Sequence, residues 1–172
     1  MSVRIRRMTD EEFEIFYHWS VEHHAKELME EAHLSWEEAI QETMKEVSEM
    51  LPDGLNTENN DLMTIEAEGE SAGFIWTVLE ETDGRKQSFV CDFAIWASKR
   101  RKGYGAVALC LAEKNAGEAG CRESVLFVAD KNDAARALYE KCGYQVLRQA
   151  GYGRYMTKQL VRPYANPNLS NR

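Results

Sequence analysis

The segment that most constrains this chain is Arg100-Arg101-Lys102-Gly103-Tyr104-Gly105-Ala106. Before it, Phe89 to Trp96 is rich in aromatic and branched side chains and reads as a strand; after it, Gly103 to about Gly117 carries a helix pattern. A strand that passes through a short basic turn straight into a helix must lay that helix on a sheet. The pattern then repeats. Ser124 to Ala129 is a short apolar run, hence a buried strand, and Asn132 to Cys142 is helical, with Gly143 as a natural residue to follow its C-terminus. Strand, helix, strand, helix requires a crossover and locally parallel strands.

The first half has a different grammar. Val3 to Met8 alternates apolar and basic residues, as a strand does. Thr9-Asp10-Glu11-Glu12 and Ser35-Trp36-Glu37-Glu38 are capping boxes, each opening a helix; the second helix stops at Pro52. After a polar loop from Asp53 to Asn60, strands are expected at Leu62 to Ala67, Ala72 to Glu80 and Phe89 to Trp96, joined by turns at Glu68–Ser71 and Thr82–Arg85. Tyr144 to Arg148 and Arg154 to Leu160 read as the last two strands. The fold class is therefore α/β, a mixed α+β sheet in the order β-α-α-β-β-β-α-β-α-β-β. One domain is expected over residues 1–160, with a loose tail over 161–172 that holds two Pro and three Asn.

Composition narrows the partners. Lys and Arg number 21 against 29 Asp and Glu, a formal charge of −8, so general nucleic-acid binding is not expected. No apolar run reaches a membrane span and the start lacks a signal-peptide pattern, so a cytoplasmic protein without membrane attachment is expected. Cys91, Cys110, Cys121 and Cys142 form no Cys-x-x-Cys pair and read as reduced packing residues. His18, His23, His24 and His33 cluster without an His-Glu-x-x-His spacing, so no metal is expected.

Against that acidic background the cluster Arg100-Arg101-Lys102 stands out. Glycines let backbone approach a ligand, helix-start N–H groups point outward, and cations add charge-assisted bonds. The combination fits a diphosphate cradle; a basic turn that merely opens a helix is the plainer alternative. Neither a P-loop nor a Rossmann fingerprint is present, which argues against a nucleotide-binding protein of those classes.

Arg100, Gly103 and Gly105 match [QR]-x-x-G-x-[GA], and the motif resembles the acetyl-CoA signature of the GNAT acetyltransferase superfamily. Some thirty residues on, Asn132 to Tyr144 is similar to that family's second motif, N-x-x-A-x-x-L-Y-x-x-x-G-[FY]. The element order agrees across about residues 3–160, and the chain looks most like uncharacterised bacterial members. The resemblance implies a V-shaped gap between strands four and five. It implies a strand-four bulge at about Ala94, Ile95 and Trp96 whose freed N–H groups take pantetheine. The diphosphate would lie on the N–H groups of Arg101 to Ala106, across Lys102, Gly103, Tyr104 and Gly105, with Arg100 alongside; Asn132 and Arg136 complete the expected cofactor set.

The implied reaction is direct transfer of acetyl from acetyl-CoA to a primary amine of a small molecule or peptide. An alkyl ammonium, with a reference pKa of about 10.4, must lose a proton, and the thiolate leaving group gains from a donor. Tyr139 matches the family's usual general acid. Glutamates that family members often use as base align with Phe89 and Phe127 here, which leaves Asp92 as the nearest ionisable residue, with Glu66, Glu68 and Glu80 as alternatives through water. Asp92 either faces the gap or pairs with an arginine. The acceptor pocket is expected from the first two helices and the loop after them, with Tyr17, Trp19, Trp36 and the four histidines available. A non-catalytic acyl-CoA-binding or sensing module on the same fold is the alternative function. Many family members dimerise, so a homodimer stays open.

Overall fold

The computed structural model describes residues 1–161, and most of the expected tail lies outside the described residues. The elements are β1 (Val3–Arg7), α1 (Asp10–Ala32), α2 (Trp36–Met50), β2 (Asn60–Ala67), β3 (Glu70–Thr82), β4 (Arg85–Ile95), α3 (Tyr104–Glu118), β5 (Glu123–Ala129), α4 (Asp133–Lys141), β6 (Gln145–Ala150) and β7 (Gly153–Gln159). Short 3₁₀ turns at Gly54–Asn56 and Ala97–Lys99 fall in the expected loops. No helix among the described residues is long and apolar enough to cross a membrane.

Both capping boxes form. Thr9 Oγ1 accepts the Glu12 amide at 3.2 Å while Glu12 Oε2 accepts the Thr9 amide at 2.9 Å. Ser35 and Glu38 do the same at 3.3 and 2.9 Å. Glu12 also ties α1 to the sheet, accepting from Arg6 and from the Thr64 hydroxyl, each at 2.8 Å.

The seven strands form one sheet in the order β1-β2-β3-β4-β5-β7-β6, antiparallel except where β4 lies parallel to β5. Strand alternation gives each face its own core. Phe74 and Trp76 of β3 meet Phe16 and Val47 of α1 and α2, whereas Ile75 joins Leu109 of α3 and Leu126 of β5 on the other face. Gly73 allows β3 and β4 to close: a Cβ there would overlap the Ala94 carbonyl oxygen.

The parallel pairing is brief, running only from Gln87↔Glu123 to Val90↔Leu126. Beyond it, Asp92 to Ile95 stay with β3, while Phe127 to Ala129 stay with β7. The two central strands therefore diverge toward their C-terminal ends, and a V-shaped gap opens in the middle of the sheet. Open crevices at the carboxyl ends of parallel strands are where α/β sheets receive ligands.

Candidate active site

The bulge in β4 is three residues earlier than the family resemblance implied. Trp76 pairs with Asp92 and Thr77 with Val90, so Cys91 is the extra residue. This changes which amides are free. The Trp96 amide donates to the Ala72 carbonyl at 2.9 Å. Ladder alternation then turns the Ala94 amide to β3 as well, and directs those of Phe93 and Ile95 toward the gap. The Phe93 amide is taken by Asp92 Oδ1 at 2.9 Å. Of the expected trio, Ile95 alone points its amide at the open edge, while Ala94 and Trp96 contribute side chains to the α1 face.

The Cys91 bulge also re-aims Asp92. Val90 and Phe93 pack on the α3 face, and the inserted residue leaves Cys91 and Asp92 both turned toward α1. Re-aiming a side chain beside a cleft is what bulges commonly do. There Asp92 Oδ2 accepts the Ser20 hydroxyl at 2.6 Å and lies 3.2 Å from His24 Nε2. Asp92 thus faces the gap, and its partner is a histidine rather than an arginine.

His24 is the residue the sequence pattern did not single out, because its partner lies 68 positions away. Its other ring nitrogen, Nδ1, is 3.5 Å from Glu27 Oε2. Burial opposes charge on this ring, but the hydrogen bonds it donates to Asp92 and Glu27 outweigh it and hold the imidazole well above its usual range. Hydrogen bonding to His24 in turn holds Glu27 below the ordinary carboxylate value.

A cavity of about 170 Å³ occupies the gap, with His24, Asp92, Phe127, Asn132 and Tyr139 on its walls. Tyr139 projects from α4 and is 8% exposed. Burial, and then the Asp92 charge, push its phenol well above the ordinary tyrosine value, so it stays protonated. Burial also pushes the Cys91 thiol up to about 12, with Glu80 and Asp92 adding to it. That thiol is no thiolate at neutral pH, and so no nucleophile.

A second cavity, about 230 Å³, adjoins the first through His24, Glu27, Phe89, Cys91 and Tyr152. It runs between α1 and α2, past Glu31 and Glu46. The expected acceptor aromatics lie elsewhere. Tyr17 and Trp19 pack into the α1 core, and Trp36 is exposed at the start of α2. Trp76 and, from the β6–β7 turn, Tyr152 line this cavity instead. The alternative carboxylates are also committed: Glu66 to Arg4 and Arg6, Glu68 to the Ser2 amide, Glu80 to Gln87.

At the mouth of the gap, α3 begins at Gly103, which sits at φ 80 with no side-chain cap. The first helical bond there runs from the Val107 amide to the Gly103 carbonyl, so the amides of Tyr104, Gly105 and Ala106 precede the ladder. The Tyr104 side chain is buried in the core, which leaves only its backbone to the surface. Arg100, Arg101 and Lys102 are exposed, and Arg100 Nε donates to the Ile95 carbonyl at 2.9 Å. A Cβ on Gly103 would project into open space at a φ that strains any other residue. Bare amides, an unhindered approach and three cations are the elements a diphosphate needs. Asn132 caps α4, accepting the Ala135 amide at 3.1 Å, and still borders the gap. Arg136 is committed to Asp133 at 2.6 Å.

Comparison with known proteins agrees with this architecture. The acetyltransferase (GNAT) family model matches residues 11–144. The uncharacterised N-acetyltransferase YdgE of Bacillus subtilis is 30% identical over 145 residues, covering 84% of this chain and 92% of that protein. The crystal structure of YycN from the same organism superposes with a TM-score of 0.80 at 27% identity, covering 87% of this chain and 96% of that one. The PaiA N-acetyltransferase of Thermoplasma acidophilum, solved in complex with coenzyme A, shares the fold with a TM-score of 0.69 at 22% identity, over 92% and 99% of the two chains. The chain belongs to the GNAT family of acetyltransferases.

Proposed function

We propose that this protein moves an acetyl group from acetyl-CoA directly to a primary amine of a small molecule or peptide. The observation that carries this reading is the cavity between β4 and β5, whose walls include both the protonated Tyr139 phenol and the Asp92–His24 pair. The diphosphate rests on the amides from Arg101 to Ala106, with Lys102 and Arg100 alongside. The pantetheine arm enters the gap past Ile95 and Asn132. The structure of PaiA with coenzyme A supports the cosubstrate, since the same fold holds it there.

The chemistry follows from the groups present. The free amine attacks the thioester carbonyl, and the Ile95 amide is the backbone donor we assign to the developing oxyanion, an interaction often worth ~3 kcal/mol per donor. The C–S bond breaks with its electron pair on sulfur, and Tyr139 supplies the proton that makes the thiol. The un-ionised Cys91 supports transfer without an acyl-cysteine intermediate.

Thiol release from acetyl-CoA, measured across a panel of primary amines, tests the reading. Turnover with at least one amine is expected. Tyr139→Phe should lower kcat by roughly 100-fold, the lower range for loss of an acid–base group, and leave acetyl-CoA affinity unchanged. Tight acetyl-CoA binding with no amine-dependent thiol release would instead identify a non-catalytic acyl-CoA-binding module.

A further inference from the structure

We propose that His24 is the group that takes the proton from the incoming ammonium, with Asp92 and Ser20 as positioning residues that hold its ring. The inference rests on the transferase reading above and names a residue that reading leaves open.

Both oxygens of Asp92 are spent. Oδ1 accepts the Phe93 amide at 2.9 Å. Oδ2 accepts the Ser20 hydroxyl at 2.6 Å and faces His24 Nε2 at 3.2 Å. Its side chain is 7% exposed, against 37% for His24. Asp92 is therefore a fixed anion behind the ring, and His24 is the member of the pair that reaches both substrate and water. His24 also borders both cavities, the gap and the channel between α1 and α2, so an amine entering by that channel meets it at the junction.

The other titratable groups facing the ring are less suited. Glu27, one turn along α1, is held below the carboxylate range by His24 itself and is a weak base. His23 stacks on Trp19 with ring centroids 4.6 Å apart. Cys91 of β4 and Tyr139 of α4 are held in their protonated forms by burial, so neither can accept a proton. Burial and the charges of Glu31 and Glu27 likewise hold Tyr152, in the β6–β7 turn, protonated.

An ionised Asp92 accepts Nε2–H, which leaves the Nδ1 lone pair of the neutral ring as the acceptor, with the Glu27 carboxylate 3.5 Å away to stabilise the imidazolium. The proton balance closes. The ammonium carries three protons. One passes to His24 and out to solvent at its exposed edge. The nitrogen pair released by that step forms the new C–N bond. A second proton leaves the tetrahedral nitrogen and replaces the one Tyr139 gives to sulfur. The third stays on the amide.

The Asp92 and Glu27 contacts keep the ring protonated at neutral pH, so turnover should climb as the medium becomes alkaline and the ring becomes neutral. His24→Gln keeps a donor for Asp92 but has no basic nitrogen. It should lower kcat by roughly 100-fold with an alkyl amine and flatten the ascending pH limb, with acetyl-CoA affinity unchanged. The loss should shrink for an amine whose own pKa lies below the assay pH. Asp92→Asn removes the fixed anion. The His24 ring titration, followed by NMR in the protein without CoA, should move to lower pH, and the activity limb should move with it. Full kcat and an unchanged pH limb in His24→Gln would overturn the proposal, as would a ring titration that does not move in Asp92→Asn. Wild-type turnover combined with either result removes this proposal alone. Wild-type protein that binds acetyl-CoA but acetylates no amine removes the transferase reading and this proposal with it.

Discussion

Two helices start at the rim of the same gap and treat their first turns differently. At α4 the Asn132 side chain accepts the Ala135 amide at 3.1 Å. At α3, six residues longer, Gly103 offers no side chain at all. The helices α1 and α2 go further than α4, each with a complete capping box. Among the described residues, three α-helix starts carry a side-chain cap and the fourth, behind three consecutive cations, is bare, which leaves one partial positive charge available to an outside anion. A missing cap points to a ligand where neighbouring helices show that capping was within the chain's reach.

The comparison breaks most readily at Gly103. Gly103→Val should strain a left-handed position, at roughly 1–2 kcal/mol, and place its side chain in the open space before the bare amides. Acetyl-CoA affinity should fall by about 100-fold, or roughly 3 kcal/mol, read by calorimetry. Unfolding should shift by no more than the strain, read by thermal melting. An equal loss in both would show that the turn serves the fold rather than the ligand.

At the capped start the expected effect is smaller and falls on stability. Asn132→Ala removes the α4 cap and should cost about 1 kcal/mol, lowering the melting temperature by roughly 3 °C for a domain of this size. An unchanged melting temperature would mean that the cap carries no weight and would blunt the contrast.

The smallest effect is a pH effect at the start of α1. The Arg6 hydrogen bond, against the opposing cost of burial, holds Glu12 well below its ordinary 4.5, to about 2. The stabilisation from its charged form is therefore complete above pH 4.5 and is lost as pH falls through about 2. Glu12→Gln keeps the geometry of the capping box without the charge. Its unfolding free energy should fall less steeply than that of the wild type between those pH values, as read by urea titrations at several pH values.

Much of this was legible in the chain because it was written locally. Capping boxes, hairpin turns and the glycine turn each occupy a few adjacent residues, and local signals of that kind, with the apolar patterning, located the four α-helices and seven strands of the described residues. Strand ends were less legible: β4 starts at Arg85 rather than Phe89, since a polar hairpin can pair without an apolar pattern. The resemblance implied a bulge in this strand, but its position at Cys91 was not legible, because a bulge is a count between two strands and neither strand carries it alone. The same bulge hid the meaning of Asp92, whose facing direction depends on it. Tyr152 escaped, and His24 was not told apart from the other three histidines, for a related reason: their places beside the gap are set by how α1 and the β6–β7 turn pack against β4, not by any nearby residue. Arg136 was expected beside the cofactor, at an unspecified position of the second motif, but spends its guanidinium on Asp133, a neighbour on its own helix.

Backbone amide resonances followed during a titration with acetyl-CoA report directly on whether the uncapped start of α3 grips its diphosphate. The amides of Tyr104, Gly105 and Ala106 should shift most, together with Ile95 at the open edge of β4, while Ala135 beneath its Asn132 cap should move little. Saturable binding that leaves the three α3 amides in place would contradict it.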